Sequence, residues 1–148
     1  MELKDWLIVI IPVILNGSLV FLLHKRFEKR QFGRDIKREH TRILLKNINN
    51  SIDLVAKMKI LAFNGDFYTE NGTKLSENAQ LHYVSLNESN IGVFNYLSSN
   101  DNVFNFLQKD KKTLEEAANK VAQYDVGAIN DVLAVLKTIK KKCENQKI

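Results

Sequence analysis

The rhythm of apolar and polar positions changes twice along this chain. From Trp6 to Leu23 it runs for 18 residues without a charge. At about 1.5 Å per residue that is about 27 Å of helix, close to the ~30 Å hydrocarbon core of a bilayer. From Asp35 onward the apolar residues become periodic. Ile36, Leu44, Ile48, Ile52, Val55, Met58 and Ala62 recur every three, four or eight positions, which predicts an amphipathic helix to about Phe63. Gly33 lies between the two patterns and either interrupts one long helix or is carried within it, since a single helical glycine costs only about 1 kcal/mol.

The segment Asn64 to Ser76 breaks the periodicity. Its Asn71-Gly72 pair, between Phe67-Tyr68-Thr69 and Thr73-Lys74-Leu75, is the sequence of a tight hairpin turn and predicts a small hairpin over 66–75 or an ordered loop. Ser76 can cap a following helix, along which Leu81, Val84, Glu88, Ile91, Phe94 and Leu97 recur at helical spacing. Phe94, Tyr96, Phe104 and Phe106 make an aromatic-rich neighbourhood, expected as core where helices are short and alternatively as a peptide-binding groove.

The last predicted helix opens on a Thr113-Leu-Glu-Glu116 capping box. Leu114, Ala118, Val121, Asp125, Ala128, Val132, Val135 and Ile139 then alternate by four and three, a coiled-coil-like heptad seam suited to interaction. Asp125 on that seam is costly unless paired or partly exposed.

The expected fold class is therefore all-α: a single N-terminal transmembrane helix followed by a small cytoplasmic bundle of about four helices. The domains follow as an extracytoplasmic terminus at 1–5, the span at 6–23, a basic juxtamembrane segment at 24–34 and the helical bundle at 35–148.

Charge supplies the direction. The net +5 divides into −1 for residues 1–23, +6 for 24–46, −4 for 47–136 and +4 for 137–148. Lys25, Arg26, Lys29, Arg30 and Arg34 follow the span closely, whereas Lys4 stands alone before it. Since Lys and Arg stay on the cytoplasmic side, the N-terminus is expected outside and the bundle inside. A cleavable signal peptide would begin basic and end in small residues; this run begins Glu2-Leu-Lys-Asp5 and ends directly in His24-Lys-Arg26. Trp6 suits the outer interface, Phe27 and Phe32 the inner one.

Within the span, Pro12 predicts a modest kink. Asn16, with Gly17 and Ser18 beside it, is expected either as a self-association point making a homo-oligomer or as a tolerated polar residue. Lys137, Lys140, Lys141 and Lys142 close the final helix, where cations favour the helix dipole. Lys140, Lys141 and Lys142 join the juxtamembrane cluster as candidate contacts for anionic headgroups. Two basic clusters around an acidic body point to a membrane surface rather than to nucleic acid.

No motif for catalysis, cofactor or metal is present: there is no HExxH, GxSxG, P-loop or GxGxxG, and Cys143 is the single cysteine. Its lysine neighbours favour a lowered thiol pKa, but with no accompanying base or pocket it is expected as an incidental thiol, and a single thiol suits topology labelling. The expected function is that of a non-enzymatic, membrane-tethered interaction module. It would act at the inner leaflet by binding or blocking another membrane-associated protein, in the manner of an exclusion or immunity factor or an accessory subunit. The alternative is a small pore-forming or membrane-disrupting protein that oligomerises through its membrane helix.

Overall fold

The computed structural model describes residues 3–69, 74–123 and 127–146, with side chains from Ser18 onward. The described residues form four helices and no strands. These are α1 (Leu3–Phe63), α2 (Glu77–Ser99), α3 (Gln108–Ala122) and α4 (Ala128–Glu144), with a short 3₁₀ turn at Asn105–Leu107 before α3. The chain divides into two compact units, Met1–Glu39 and His40–Ile148.

Helix α1 passes through Gly33 without interruption. Nothing lies within 4 Å of the position a Cβ would take there, so no packing demand explains the glycine. The helix stops where its sequence stops supplying helix formers. Gly65 takes φ 80°, a backbone conformation that glycine adopts without a Cβ penalty. The amide of Asp66 donates to the Leu61 carbonyl and that of Gly65 to Ala62, the paired bonds that satisfy the last carbonyls of a helix ended by a left-handed glycine.

The connection to α2 contains one antiparallel bridge, Tyr68 with Leu75, and the Thr69 amide donates to the Lys74 carbonyl at 2.8 Å. Among the described residues the expected hairpin shows this one rung; its Asn71-Gly72 turn lies outside them. Ser76 caps α2 as its sequence implies. Its hydroxyl accepts from the Ala79 amide at 3.1 Å and donates to the Asp66 carbonyl at 2.6 Å, joining the cap to the end of α1.

Two predicted elements differ. The heptad helix from Thr113 to Ile139 is two helices, α3 and α4, which pack directly on one another. A single helix would leave half of that apolar stripe without a partner, whereas two helices joined by a short link bury both halves within one chain. Thr113 consequently lies inside α3 rather than at its start. Its hydroxyl donates back to the Lys109 carbonyl at 3.0 Å, so the predicted capping box does not form.

The second difference is the facing of α2. Its buried positions are Ala79, Tyr83, Leu86, Asn90, Val93 and Leu97, while Leu81 is 65%, Val84 48% and Ile91 46% exposed. Helix α2 is apolar on two opposite faces. Periodicity cannot rank two faces; the one carrying the bulkier set, Tyr83, Leu86, Val93 and Leu97, is the one buried.

The core of the second unit joins Leu44, Ile48, Val55 and Met58 of α1 to that face of α2 and to Leu114, Val121, Val132, Leu136 and Ile139 of α3 and α4. Of the predicted α1 stripe, Ile52 is half-buried, but Ile36 and Ala62 are exposed at its ends. Phe104 is buried, with Tyr96 and Phe106 partly buried around it, at ring separations of 6.2 and 6.4 Å. Tyr96, Phe104 and Phe106 are thus part of the core, while Phe94 is half-buried beside them in sequence and outside that cluster.

Polar groups are built into the same interior. Ser51 of α1 is fully buried and hydrogen-bonds Ser89 of α2 at 2.7 Å. Asn90 is also fully buried, and neither its Oδ1 nor its Nδ2 has a hydrogen-bond partner. Asp110 is buried near the start of α3, where both carboxylate oxygens accept from the Lys142 ammonium at 2.7 and 2.9 Å.

Candidate functional site

Among the described residues, no helix is long and apolar enough to cross a membrane. The side chains of Trp6, Pro12, Asn16 and Gly17 lie outside the described residues, and Ser18 is the first one within them. From Ser18 to Ile36 every residue of α1 is exposed. This stretch nevertheless carries Leu19, Val20, Phe21, Leu22 and Leu23, each at least 57% exposed, with Phe27 and Phe32 further on.

Helical geometry arranges the stretch into a sided surface. Val20, Leu23, Phe27, Arg30 and Arg34 follow one another at spacings of three and four, which places them along one face. The basic residues Lys25, Arg26, Lys29, Arg30 and Arg34 are all exposed. Acidic residues here are engaged locally: Glu28 lies 3.2 Å from His24, and Asp35 3.8 Å from Arg38. Apolar residues thus give way to a basic band within about three helical turns.

The C-terminal lysines have more specific surroundings. Lys142 holds Asp110, and Lys140 donates to Asn49 Oδ1 at 2.9 Å, tying α4 to α1. Lys141 is exposed. Two of the three lysines expected at headgroups therefore make bonds inside the chain. The heptad seam has a similar fate: Leu114, Ala118, Val121, Val132 and Ile139 are buried within the chain and Val135 is half-buried, while Asp125 lies outside the described residues. Leu114, Val121, Val132 and Ile139 belong to the chain's own core, with Val135 packed against it.

The groups that carry chemistry are dispersed. Among the described residues no three His, Cys, Asp or Glu side chains gather as a metal site. His40 Nδ1 lies 2.8 Å from the Tyr96 hydroxyl, and His82 Nδ1 donates to the Asn78 carbonyl at 2.8 Å. The Lys111 ammonium, 2.8 Å from Asp101 Oδ1, holds that carboxyl below its ordinary value. It ties the turn after α2 to α3. The lysines beside Cys143 do not lower its thiol pKa. Burial, reinforced by Glu144 and Asp110, pushes its thiol up to about 11 from 9.0. At 2% exposure it is a core side chain, unsuited to labelling in the folded protein.

Sequence reasoning missed the outward face of α2. Leu81, Val84, Glu88 and Ile91 are all exposed there, beside a cleft of about 200 Å³ lined by Tyr83, Val84, Asn87, Glu88, Val121 and Ala122. A signal was present, since Leu81, Val84 and Ile91 are apolar and recur at helical spacing. No protein-family model matches the chain, and no curated protein or solved structure matches it.

Proposed function

We propose that this chain is a membrane-tethered helical interaction module: a single span at Trp6–Leu23 holds the bundle at the inner leaflet, where it binds or blocks another membrane-associated protein. The observation that carries the tether is the exposed stretch Ser18–Ile36, in which five consecutive large apolar residues, Leu19 to Leu23, have no covering side chains. Exposed apolar patches of this kind mark membrane or partner contact. The charge-free run extending back to Trp6 favours the membrane.

Direction is supported by Lys25, Arg26, Lys29, Arg30 and Arg34, exposed immediately after the apolar residues. Each favours an anionic cytoplasmic surface by about 1 kcal/mol when it lies near the headgroups. In this reading Phe27 and Phe32 sit at headgroup level. The bundle is a binding body rather than a catalytic one, because its interior is filled by its own side chains and its histidines are held apart.

Cell fractionation tests the tether directly. The full chain is expected in the membrane pellet after alkaline carbonate washing and in the supernatant after detergent. Recovery in the soluble fraction would overturn the reading. Replacing Lys25, Arg26, Lys29, Arg30 and Arg34 with Gln is expected to scramble orientation, read as protease access to the bundle from outside intact cells.

A further inference from the structure

Within the interaction-module reading on which this rests, the contact surface has a definite location. The outward face of α2 carries Leu81, Val84, Ser85, Glu88, Ile91, Gly92 and Asn95, at spacings of three and four residues, and all of them are exposed. It lies opposite the buried face that runs from Ala79 to Leu97. Three properties of this face have no explanation within the chain's own fold.

The first is the apolar content, with Leu81, Val84 and Ile91 at 65%, 48% and 46% exposure. The second is Gly92. A glycine in the interior of a helix destabilises it, yet Gly92 has no positive φ and nothing lies within 4 Å of its Cβ position. No turn and no close approach within the chain requires it. A second helix crossing at this point would, because Gly92 with Ser85 one heptad earlier lets a backbone come close. The third is charge. Helix α2 contains Glu77 and Glu88 and no Lys or Arg, in a chain with 22 Lys and Arg and a net charge of +5. Glu88 stands between Val84 and Ile91 on the face and borders the cleft formed with Val121 and Ala122 of α3.

We infer that the outward face of α2 is a docking surface for a basic amphipathic helix of a partner protein. The partner packs apolar side chains on Leu81, Val84 and Ile91, crosses at Gly92, and sets a Lys or Arg against Glu88. A helix laid on a helix is read through anchors at this spacing. A second copy of this chain using the same face fits worse. A two-fold contact would set Glu77 and Glu88 of one copy against an equally acidic helix, and like charges brought together oppose association.

The test uses the full-length chain in neutral detergent and two fluorescein-labelled synthetic helical peptides. Both carry one leucine stripe at the same spacing; one is flanked by lysines and the other by glutamates. Fluorescence anisotropy is expected to show the lysine peptide binding about fivefold more tightly or better, with Glu88→Lys reversing that order. Gly92→Gln puts a longer, good helix former on the surface. It should leave the thermal midpoint unchanged or raised and abolish binding of the lysine peptide.

No binding of either peptide, equal binding of both, or binding unaffected by Gly92→Gln would overturn the inference. So would sedimentation showing a dimer of the chain that Gly92→Gln dissociates, which would make a second copy the occupant. Fractionation tests the tether and none of these outcomes, so failure of the docking surface and failure of the membrane reading are distinguishable.

Discussion

Helix α1 carries two kinds of surface on one continuous backbone. Along Ser18–Ile36 every side chain is exposed, apolar residues included, whereas along Thr41–Met58 the positions Leu44, Ile48, Ser51, Val55 and Met58 are buried. Backbone hydrogen bonding is the same in both; what differs is whether neighbouring elements of the chain are there to cover the apolar stripe. A helix that satisfies its own backbone is free to leave the covering of its side chains to a membrane or a partner, and most helical stability otherwise comes from packing.

The sharpest way to break that comparison is to truncate one residue in each half. Ile48→Ala removes a fully buried side chain and is expected to lower unfolding stability by about 2–5 kcal/mol. Phe27→Ala, although it deletes more carbon, is expected to stay within about 0.5 kcal/mol in detergent solution. Denaturant titration of both variants decides. Similar losses would mean that the first half is packed against something after all.

A smaller effect tests the polar interior of the second unit. Lys142→Met takes away the ammonium that both Asp110 oxygens accept from, leaving a buried carboxylate without its charge partner. The expected loss is about 1–3 kcal/mol, discounted toward the low end because the Lys142 side chain is 46% exposed. Thermal melts should show it at neutral pH. A neutral result would assign the lysine to solvent.

Asn90→Leu has the opposite sign. The amide is fully buried and its polar atoms lack partners, so an apolar residue of similar size is expected to stabilise the fold by about 1 kcal/mol. The amide's function would then be specificity, since a buried polar group disfavours alternative packings of an apolar bundle. Destabilisation on this replacement would show that Asn90 makes favourable contacts in solution.

The smallest effect is that of Cys143. Its thiol is pushed up to about 11 in the fold from 9.0, so the unfolded chain loses that proton first as pH rises. This group's contribution is therefore intact below about 9 and is lost progressively between about 9 and 11. Maleimide labelling at neutral pH should be slow in the native protein and fast in denaturant. Fast native labelling would place Cys143 in an open part of α4.

Legibility differed from helix to helix. The stripes of α1, α3 and α4 could be read because each has one apolar face, and Leu44, Ile48, Leu114, Val132 and Ile139 are buried as that pattern implies. The α2 stripe announced a helix but not its buried side, because Leu81, Val84 and Ile91 compete with Tyr83, Leu86 and Val93. The cap at Ser76 was legible because an N-cap is a local hydrogen bond. The capping box at Thr113 was not, because the 3₁₀ turn at Asn105–Leu107 starts α3 earlier than a local motif can register.

By itself, then, the sequence determined the all-helical class, the end of α1 near Phe63 and the cap of α2. These depend on residues within a few positions of one another. Only the tertiary structure decided which face of α2 is buried, that the final heptad stripe closes on itself as two helices, that the half-exposed Lys142 holds the buried Asp110, and that Cys143 belongs to the interior. Those outcomes depend on which apolar faces meet across the chain, and a periodicity along one helix carries no information about what lies opposite it.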